Sequence, residues 1–319
     1  MRRVLSSLAL AALATGTARA QGSEGALFLL LPTGAQSVGM GQAMVAGNPG
    51  SEGIWWNPSS IAAQEKRELA IHHSETIVGV GDAITFVLPS RNRGTAAISI
   101  NILNLGEQQL TDELGNPIGF ILPRDIVLAA TYAGRYGRRF SSGLTYKLVQ
   151  LRIICSGQCT NVGTLTESTT AADLGVQYEI EAGSPLTFGL AVRNLGGKLN
   201  TDGTNRATPL PTQVELGALY RLRFLDRYVK DVEVLAAGSL VDSRSNGGKA
   251  VRLGTDVIYQ KKVHLRAGFV GRDSRADASA SLGFGLKSGP FVFDIARVFG
   301  GIPGEDGEQP FYISLRYLF

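Results

Sequence analysis

The chain ends in the stretch Phe311-Tyr-Ile-Ser-Leu-Arg-Tyr-Leu-Phe319, in which every odd-numbered residue is apolar or aromatic. Serine and arginine stand at even-numbered positions between them. Because successive side chains of a β-strand point to opposite faces, this alternation predicts a strand with one continuous apolar face.

The same period of two recurs along the chain from residue 67 onward. It is clear in Ala172–Ile180, Val214–Leu222, Val251–Tyr259 and Val263–Phe269, where every second residue is apolar, small or threonine. We therefore predict an all-β chain. The fourteen predicted strands cover residues 67–78, 81–89, 94–105, 124–134, 139–151, 168–180, 185–196, 213–224, 228–241, 248–259, 262–271, 276–287, 290–299 and 309–319.

The lengths of the connections separate two architectures. A soluble sandwich turns its apolar faces inward, whereas a transmembrane barrel turns them outward to lipid. After the first hairpin, short connections (90–93, 134–139, 181–185, 225–227, 260–261, 288–290) alternate with long ones (106–124, 152–167, 196–212, 242–248, 271–276, 300–309). Short turns on one rim and long loops on the other are typical of outer-membrane barrels. We predict a 14-stranded antiparallel transmembrane β-barrel over residues 67–319.

Aromatic residues support the same prediction. Six tyrosines fall beside short connections or at the C-terminus, namely Tyr136, Tyr178, Tyr220, Tyr228, Tyr259 and Tyr317. In a barrel they form one belt at the periplasmic interface, where a ring with an apolar body and a polar tip is favoured. The terminal Phe319 also resembles the C-terminal recognition signal of bacterial outer-membrane proteins.

Composition excludes other classes of protein. The chain has 319 residues, of which 40 are glycine, with 18% charged residues and a mean hydropathy of +0.07. This is too apolar and too weakly charged for a disordered chain. The sequence after residue 25 has no apolar run of the roughly 20 residues that a spanning helix needs.

Residues 1–20 have the pattern of a secretory signal peptide. Arg2 and Arg3 precede the apolar run Val4–Leu13, and Ala18-Arg19-Ala20 is an A-x-A cleavage site. Cleavage after Ala20 removes three arginines, so the formal net charge falls from +4 to +1 (4 − 3). A net positive charge this small argues against nucleic acid as a partner. We predict export to the outer membrane of a Gram-negative-type bacterium.

Two cysteines, Cys155 and Cys159, lie in one of the long connections. In an exported chain such a pair predicts a small disulfide loop. Nearby histidines or further cysteines that would complete a zinc site are absent from the sequence around it, and no motif calls for a cofactor.

Residues 21–66 do not alternate, and we predict that they form a compact segment which must rest on another part of the chain. Gly-Met-Gly at 39–41 allows close backbone packing, and Asn-Pro at 57–58 favours a turn. The motif residues are Gly34, Ala35, Gly39, Met40, Gly41, Ala43, Trp55, Trp56, Asn57 and Pro58.

This combination, followed by a run of strands, resembles the PorV/PorQ family within the FadL-like group of outer-membrane barrels. The resemblance implies a fourteen-stranded barrel in which the N-terminal segment folds inside as a hatch. It implies a non-enzymatic role in the outer membrane, in contact with its lipid. One expectation is an accessory of protein export, similar to type IX secretion, that binds the signal of secreted proteins and acts with other secretion components. The alternative is a FadL-like channel for hydrophobic small molecules such as fatty acids or aromatics, gated by the hatch.

His72 and Ser74 are the one pair that suggests catalysis. They share a face of the first predicted strand, as in an outer-membrane hydrolase. The sequence offers no evident partner acid, and a lone His-x-Ser also fits a polar strand end near the outer rim. We expect no enzymatic activity and assign no catalytic residue.

Charged residues on the non-lipid face of the strands should line the lumen. The alternation places the following charged residues on this inner face: Glu215, Arg221, Arg223, Glu233, Arg252, Asp256, His264, Arg266 and Arg316, together with Asp173, Glu179, Arg193, Asp231, Lys262 and Lys287. Salt bridges to the hatch would give a plugged lumen. Alternatively, arginines without counter-charges, such as Arg221, Arg223 and Arg266, would meet a carboxylate head group or an acidic segment.

Overall fold

The computed structural model describes residues 25–90, 92–157, 165–180, 184–199, 207–223, 230–243, 248–272, 278–300 and 309–319. The predicted signal peptide lies outside the described residues. The strands are β1 Glu68–Thr76, β2 Gly79–Ser90, β3 Gly94–Asn104, β4 Gln108–Thr111, β5 Pro117–Tyr136, β6 Phe140–Gly157, β7 Leu165–Glu179, β8 Leu186–Gly196, β9 Lys198–Leu199, β10 Thr208–Pro209, β11 Gln213–Arg221, β12 Val232–Ser243, β13 Lys249–Tyr259, β14 Val263–Arg272, β15 Ser279–Ser288, β16 Phe291–Gly300 and β17 Phe311–Leu318.

Fourteen of these strands form one closed antiparallel ring. We call these fourteen the wall strands; they are all the strands except β4, β9 and β10. Each wall strand pairs with the wall strands before and after it in the chain, so that β3 pairs with β5, and β17 pairs with β1 to close the ring. The short β4 adds only to one end of β5, and β9 and β10 form a separate small hairpin. The predicted fold class is therefore confirmed.

The two faces of the wall have opposite chemistry. Leu216 on β11 is 54% exposed and Leu282 on β15 is 58% exposed, whereas their neighbours Glu215 and Ser281 are buried. An apolar outer face and a polar inner face are the arrangement of a barrel in lipid.

An aromatic belt lies on the outer face at the rim that carries the short turns. Tyr136, Tyr178, Tyr220, Tyr259 and Tyr317 are all exposed, whereas Tyr228 lies outside the described residues. Tyr317 also packs against Phe291 and Phe319, with ring centroids 5.1 and 5.3 Å away. We call this end of the barrel the short-turn rim, which is the periplasmic end in outer-membrane barrels.

Some boundaries differ from those predicted. β5 and β6 run on to Pro117 and Gly157, because their outer ends pair with each other and with β4. The predicted connection 225–227 lies outside the described residues, and on either side of it β11 ends at Arg221 and β12 begins at Val232. β8 carries a bulge opposite Asp173 of β7, where Asn194 has a left-handed backbone.

The hatch precedes β1, and the structure describes residues 25–66 of it. It consists of short helical turns over Leu27–Leu30, Ala35–Gly39, Gly50–Glu52, Gly53–Trp56 and Pro58–Ala63. The turn at Ala35–Gly39 contacts β14 to β17, and the turn at Pro58–Ala63 contacts β5 to β7 on the opposite side of the ring. Among the described residues, no helix is long and apolar enough to cross a membrane.

Candidate functional site

Glycines on the inner face of the wall let the hatch backbone touch the strands directly. A Cβ added to Gly268 on β14 would lie 1.9 Å from the backbone nitrogen of Gly41. One added to Gly254 on β13 would lie 2.2 Å from the carbonyl oxygen of Met40. The Gly39-Met-Gly41 motif therefore rests on wall positions that accept only glycine.

A second seat holds the Trp-Asn-Pro motif. The side-chain amide of Asn57 donates to the carbonyl oxygen of Val45 at 2.6 Å and to that of Val176 on β7 at 3.2 Å. Its oxygen accepts from the backbone nitrogen of Ser59 at 3.1 Å and so caps the turn that follows. A Cβ at Gly175 would lie 1.9 Å from that oxygen, so the position of Asn57 also requires a glycine, without a side chain, at residue 175 of the wall.

Glu52 organises the hatch from within. This carboxylate is fully buried and accepts hydrogen bonds from the backbone nitrogens of Gln36 (3.2 Å) and Ser37 (2.8 Å) and from the Ser37 hydroxyl (2.6 Å). The Ser314 hydroxyl of β17 donates to it at 3.3 Å and accepts from the backbone nitrogen of Ala35 at 2.9 Å. Burial raises the pKa of Glu52, and the nearby Arg316 guanidinium acts in the opposite direction.

A first chain of buried charges runs across β13, β14, β16 and β17. Arg266 pairs with Asp256 at 3.0 Å and with Asp294 at 2.6 Å, and Arg316 pairs with Asp294 at 2.9 Å. Arg316 then reaches the hatch, where it donates to the carbonyl oxygen of Pro49 at 3.0 Å and to the side-chain oxygen of Gln36 at 2.7 Å. These contacts tie the wall to the hatch.

A second chain surrounds the two tryptophans. Arg193 on β8 and Arg252 on β13 stand over the ring of Trp56, with each guanidinium carbon about 5.3 to 5.4 Å from the ring centroid. Arg252 pairs with Glu215 at 2.8 Å, and Arg193 donates to the carbonyl oxygen of Trp55 at 2.8 Å. Cations over aromatic faces attract the ring electrons, so the arrangement holds Trp56 in place.

Lys147 continues this second chain on β6. Its ammonium pairs with Asp173 at 2.6 Å, donates to the side-chain oxygen of Asn194 at 3.0 Å, and lies 5.7 Å from the ring centroid of Trp55. The space between the tryptophans, Lys147 and Arg193 has a volume of about 20 Å³. A space of this size holds about one water molecule, so the lumen is filled at this level.

The predicted lumen residues divide into two groups. Asp173, Arg193, Glu215, Arg252, Asp256, Arg266 and Arg316 are buried, whereas Glu179, Arg221, Arg223, Asp231, Glu233, Lys262 and Lys287 lie toward the short-turn rim. His264, half-buried, contacts Asp256 at 3.0 Å. The hypothesis that Arg266 lacks a counter-charge is wrong, because two aspartates bracket it, and Arg221 pairs with Glu233 at 3.2 Å.

The side chains of His72 and Ser74 have separate hydrogen-bond partners. The ring nitrogens of His72 contact the hydroxyls of Ser314 (2.8 Å) and Ser51 (3.4 Å), and Ser74 donates to the carbonyl oxygen of Gly81 at 3.1 Å. His72 is buried against the hatch, so the interpretation as a polar rim position is wrong. The sequence showed no partner acid, yet Glu52 lies 3.9 Å from His72.

The other site predicted from the sequence is the disulfide between Cys155 and Cys159. Cys155 is disulfide-bonded, and Cys159 lies outside the described residues. Within the described part of the chain, no group of three or more His, Cys, Asp or Glu side chains is arranged to hold a metal ion.

Several residues of the site were missed from the sequence. Asp294 had a visible signal, because it is the single acid in the otherwise apolar stretch Phe291–Ala296 of a predicted strand. Lys147 had the same signal as the predicted lumen charges, because it is a charged residue within the predicted strand 139–151, whereas Glu52 lies in the segment without alternation and had no such signal.

A closed antiparallel barrel with an apolar outer face and a charged interior has the fold of an outer-membrane β-barrel, and this fold, with an N-terminal segment packed on the inner wall, is similar to that of the FadL family. The toluene transporter TbuX of Ralstonia pickettii has a TM-score of 0.57 at 13% identity, with 90% of this chain and 98% of that chain covered. The CymD monoaromatic hydrocarbon channel has a TM-score of 0.60 at 15% identity, over 91% and 98%. A FadL homologue of Pseudomonas aeruginosa has a TM-score of 0.55 at 14% identity, over 90% and 98%.

The family follows from the sequence. The profile of the family described as "Type IX secretion system protein PorV" matches residues 17–241, which is more than half of the chain. The chain therefore belongs to the PorV family. A comparison with curated proteins found no match. At the identities above, the solved structures show the fold alone, and those named are transporters, channels or their homologues, not enzymes.

Proposed function

We propose that this protein is a non-enzymatic accessory of protein export in the outer membrane, with a plugged barrel that serves as a scaffold for a secreted protein's signal. The observation that carries the proposal is the fixed hatch. Gly41 and Met40 touch the bare wall at Gly268 and Gly254, and Arg316 bonds the hatch on the same side of the ring. Asn57 bonds the wall on the opposite side, at Val176 of β7. A lumen filled in this way offers no wide path, so the functional surfaces are the two ends of the barrel.

The alternative is a FadL-like channel for hydrophobic small molecules, with the hatch as gate. One observation favours it. Phe28, Trp55 and Trp56 meet Lys147 and Arg193 around one small cavity, so movement of the hatch there would expose aromatic faces beside cations. Such a site suits a hydrophobic molecule that carries an acid group.

Deletion of the gene separates the two proposals. For the export accessory, secreted proteins accumulate in the periplasm, and growth on toluene or a fatty acid as carbon source is unchanged. A complementing copy restores export, and so does a copy with the conservative outward-facing change Leu216→Ile. Normal export with lost growth on the hydrophobic substrate would instead establish the channel and reject the accessory.

A further inference from the structure

The short-turn rim carries an excess of exposed positive charge. Nine exposed basic side chains on it make no ion pair with any described residue, namely Lys66, Arg67, Arg93, Arg138, Arg139, Lys230, Lys261, Lys262 and Lys287. Exposed acidic side chains on the described part of the same rim are Glu65 and Asp231. Other acids there are already paired, Glu179 with Arg135 at 2.7 Å and Glu233 with Arg221 at 3.2 Å.

This charge is concentrated at one end, since the whole chain without its predicted leader has a formal net charge of only +1 (4 − 3). The opposite end carries exposed acids such as Glu75, Glu107 and Glu113 beside its bases. A charged surface of one sign attracts ligands of the other sign and speeds their association.

Two lysines on the rim face each other across neighbouring strands. Lys287 of β15 donates its backbone nitrogen to the carbonyl oxygen of Lys262 at 2.7 Å, and the pairing of His264 with Gly285 places both lysines on the inward parity. Like charges directly opposite each other on one face are destabilising. An anionic ligand at the rim would relieve this repulsion.

The alternation of side chains along the strands shows whether the basic residues of the rim point toward the lipid or toward the lumen. Outward positions at this level are aromatic, such as Tyr259 (49% exposed) and Phe291 (50% exposed), and these face lipid. Lys262 and Lys287 instead belong to the inward face, so they border the mouth of the lumen. A lipid head group approaches from the aromatic side, whereas a protein approaches from the mouth.

A concavity at the mouth gives such a partner a place to bind. It lies between the ends of β11, β12 and β13, has a volume of about 530 Å³, and is lined by Arg221, Lys230, Glu233 and Lys261 among others. Because Glu233 pairs with Arg221 at 3.2 Å, the other charged side chains that line the concavity are the two lysines and one exposed acid, Asp231, and their balance is positive.

We infer that the periplasmic mouth of this barrel is a docking surface for an acidic polypeptide segment, whose carboxylates bind at Lys230 and Lys261 in the concavity. This inference names a partner surface that the export proposal does not specify. The assay below needs no secretion, so its failure would leave the export proposal standing.

The probe is a fluorescently labelled oligoglutamate peptide, added to the mature full-length barrel in neutral detergent, with binding followed by fluorescence anisotropy. The peptide should bind, and more weakly as ionic strength rises. The double variant Lys230→Glu/Lys261→Glu should lose about tenfold or more in affinity, because two attractive charges become repulsive. Neither lysine makes an ion pair with a described residue, so folding should be retained, as checked by heat-modifiable electrophoretic mobility.

The matched control reverses two exposed bases toward the opposite end, Arg124→Glu/Arg272→Glu, and should bind the peptide as the wild type does. Equal loss in both double variants, or no loss in Lys230→Glu/Lys261→Glu, would overturn the docking surface. So would a wild type that ignores the peptide but retains phosphatidylglycerol through Lys230 and Lys261, because the ligand would then be lipid.

Discussion

At the scale of single residues, the position of the hatch depends on glycines of the wall, which have no side chain. Gly268 and Gly254 have no side chain, so the backbone of Gly41 and Met40 lies where a Cβ would be. Glu52 adds the other requirement, an acceptor for backbone donors that have no partner at the start of the turn Ala35–Gly39. Close backbone contact and a buried acceptor act together with an apolar cluster, in which hatch residues such as Ile54 and Ile61 belong to one buried group with wall residues such as Val127.

We therefore expect Gly268→Ala to displace the hatch. Its methyl group would meet the Gly41 nitrogen at 1.9 Å, and overpacking of this kind costs about 1–3 kcal/mol or more. The measurement is hydrogen exchange of residues 35–47 in detergent-solubilised protein, which should become faster in the variant.

Gly238→Ala is the control, because a Cβ there would meet the Leu253 side chain at 3.4 Å and the carbonyl oxygen of Arg252 at 3.8 Å, which are ordinary contact distances. Equal protection of residues 35–47 in both variants and the wild type would show that the wall has room for the methyl group and that contact with glycine does not hold the hatch.

At the scale of elements, the sequence predicted the strands better than their ends. Alternation located all fourteen wall strands because lipid contact on one face and a polar lumen on the other impose it. The outer ends of β5 and β6 were missed, since their pairing continues beyond the region where that contrast is imposed. β11 ends at Arg221 and β12 begins at Val232, inside the bounds predicted for these strands, and residues 224–229 between them lie outside the described part of the chain.

The partners of the hatch could not be predicted in this way. Ala35 bonds to Ser314, 279 residues later, and Gln36 to Arg316, 280 residues later. Periodicity reports which face a residue occupies, and the closing of the ring decides which residues meet across it. The sequence therefore predicted that charges line the lumen, but not that Asp294 joins two arginines.

Asp294 on β16 is the element-level link that can be tested. Asp294→Asn removes the carboxylate shared by Arg266 and Arg316, and loss of one partner from a buried pair costs about 3–5 kcal/mol. We expect a lower midpoint of urea unfolding, followed by tryptophan fluorescence, since Trp55 and Trp56 lie in the hatch.

Asp82→Asn provides the comparison, because Asp82 is exposed and pairs with His73 at 2.7 Å, and an exposed ion pair contributes about 0–1 kcal/mol. Equal midpoints for the two variants would mean that water or neighbouring groups replace the carboxylate of Asp294, and that the chain of charges does not hold the wall to the hatch.

At the scale of the whole molecule, these contacts combine into a barrel that is closed by its own N-terminal segment. The hatch touches β5 to β7 on one side and β14 to β17 on the other, so it spans the lumen. Two chains of buried charge and a cavity of about 20 Å³ leave little space for a permeating molecule. A barrel of this kind presents its two ends as surfaces, one aromatic and basic, the other carrying the longer loops.

The closed lumen predicts the electrical behaviour of the reconstituted protein. In planar lipid bilayers the wild type should insert without the steady current of an open porin, because the hatch blocks the path. Combining Asp294→Asn with Gly268→Ala removes both a charge link and a glycine seat, so it should produce frequent transient openings, and Gly238→Ala should not. A large steady current from the wild type would contradict the plug, and with it the proposal that this barrel acts through its ends and not through its lumen.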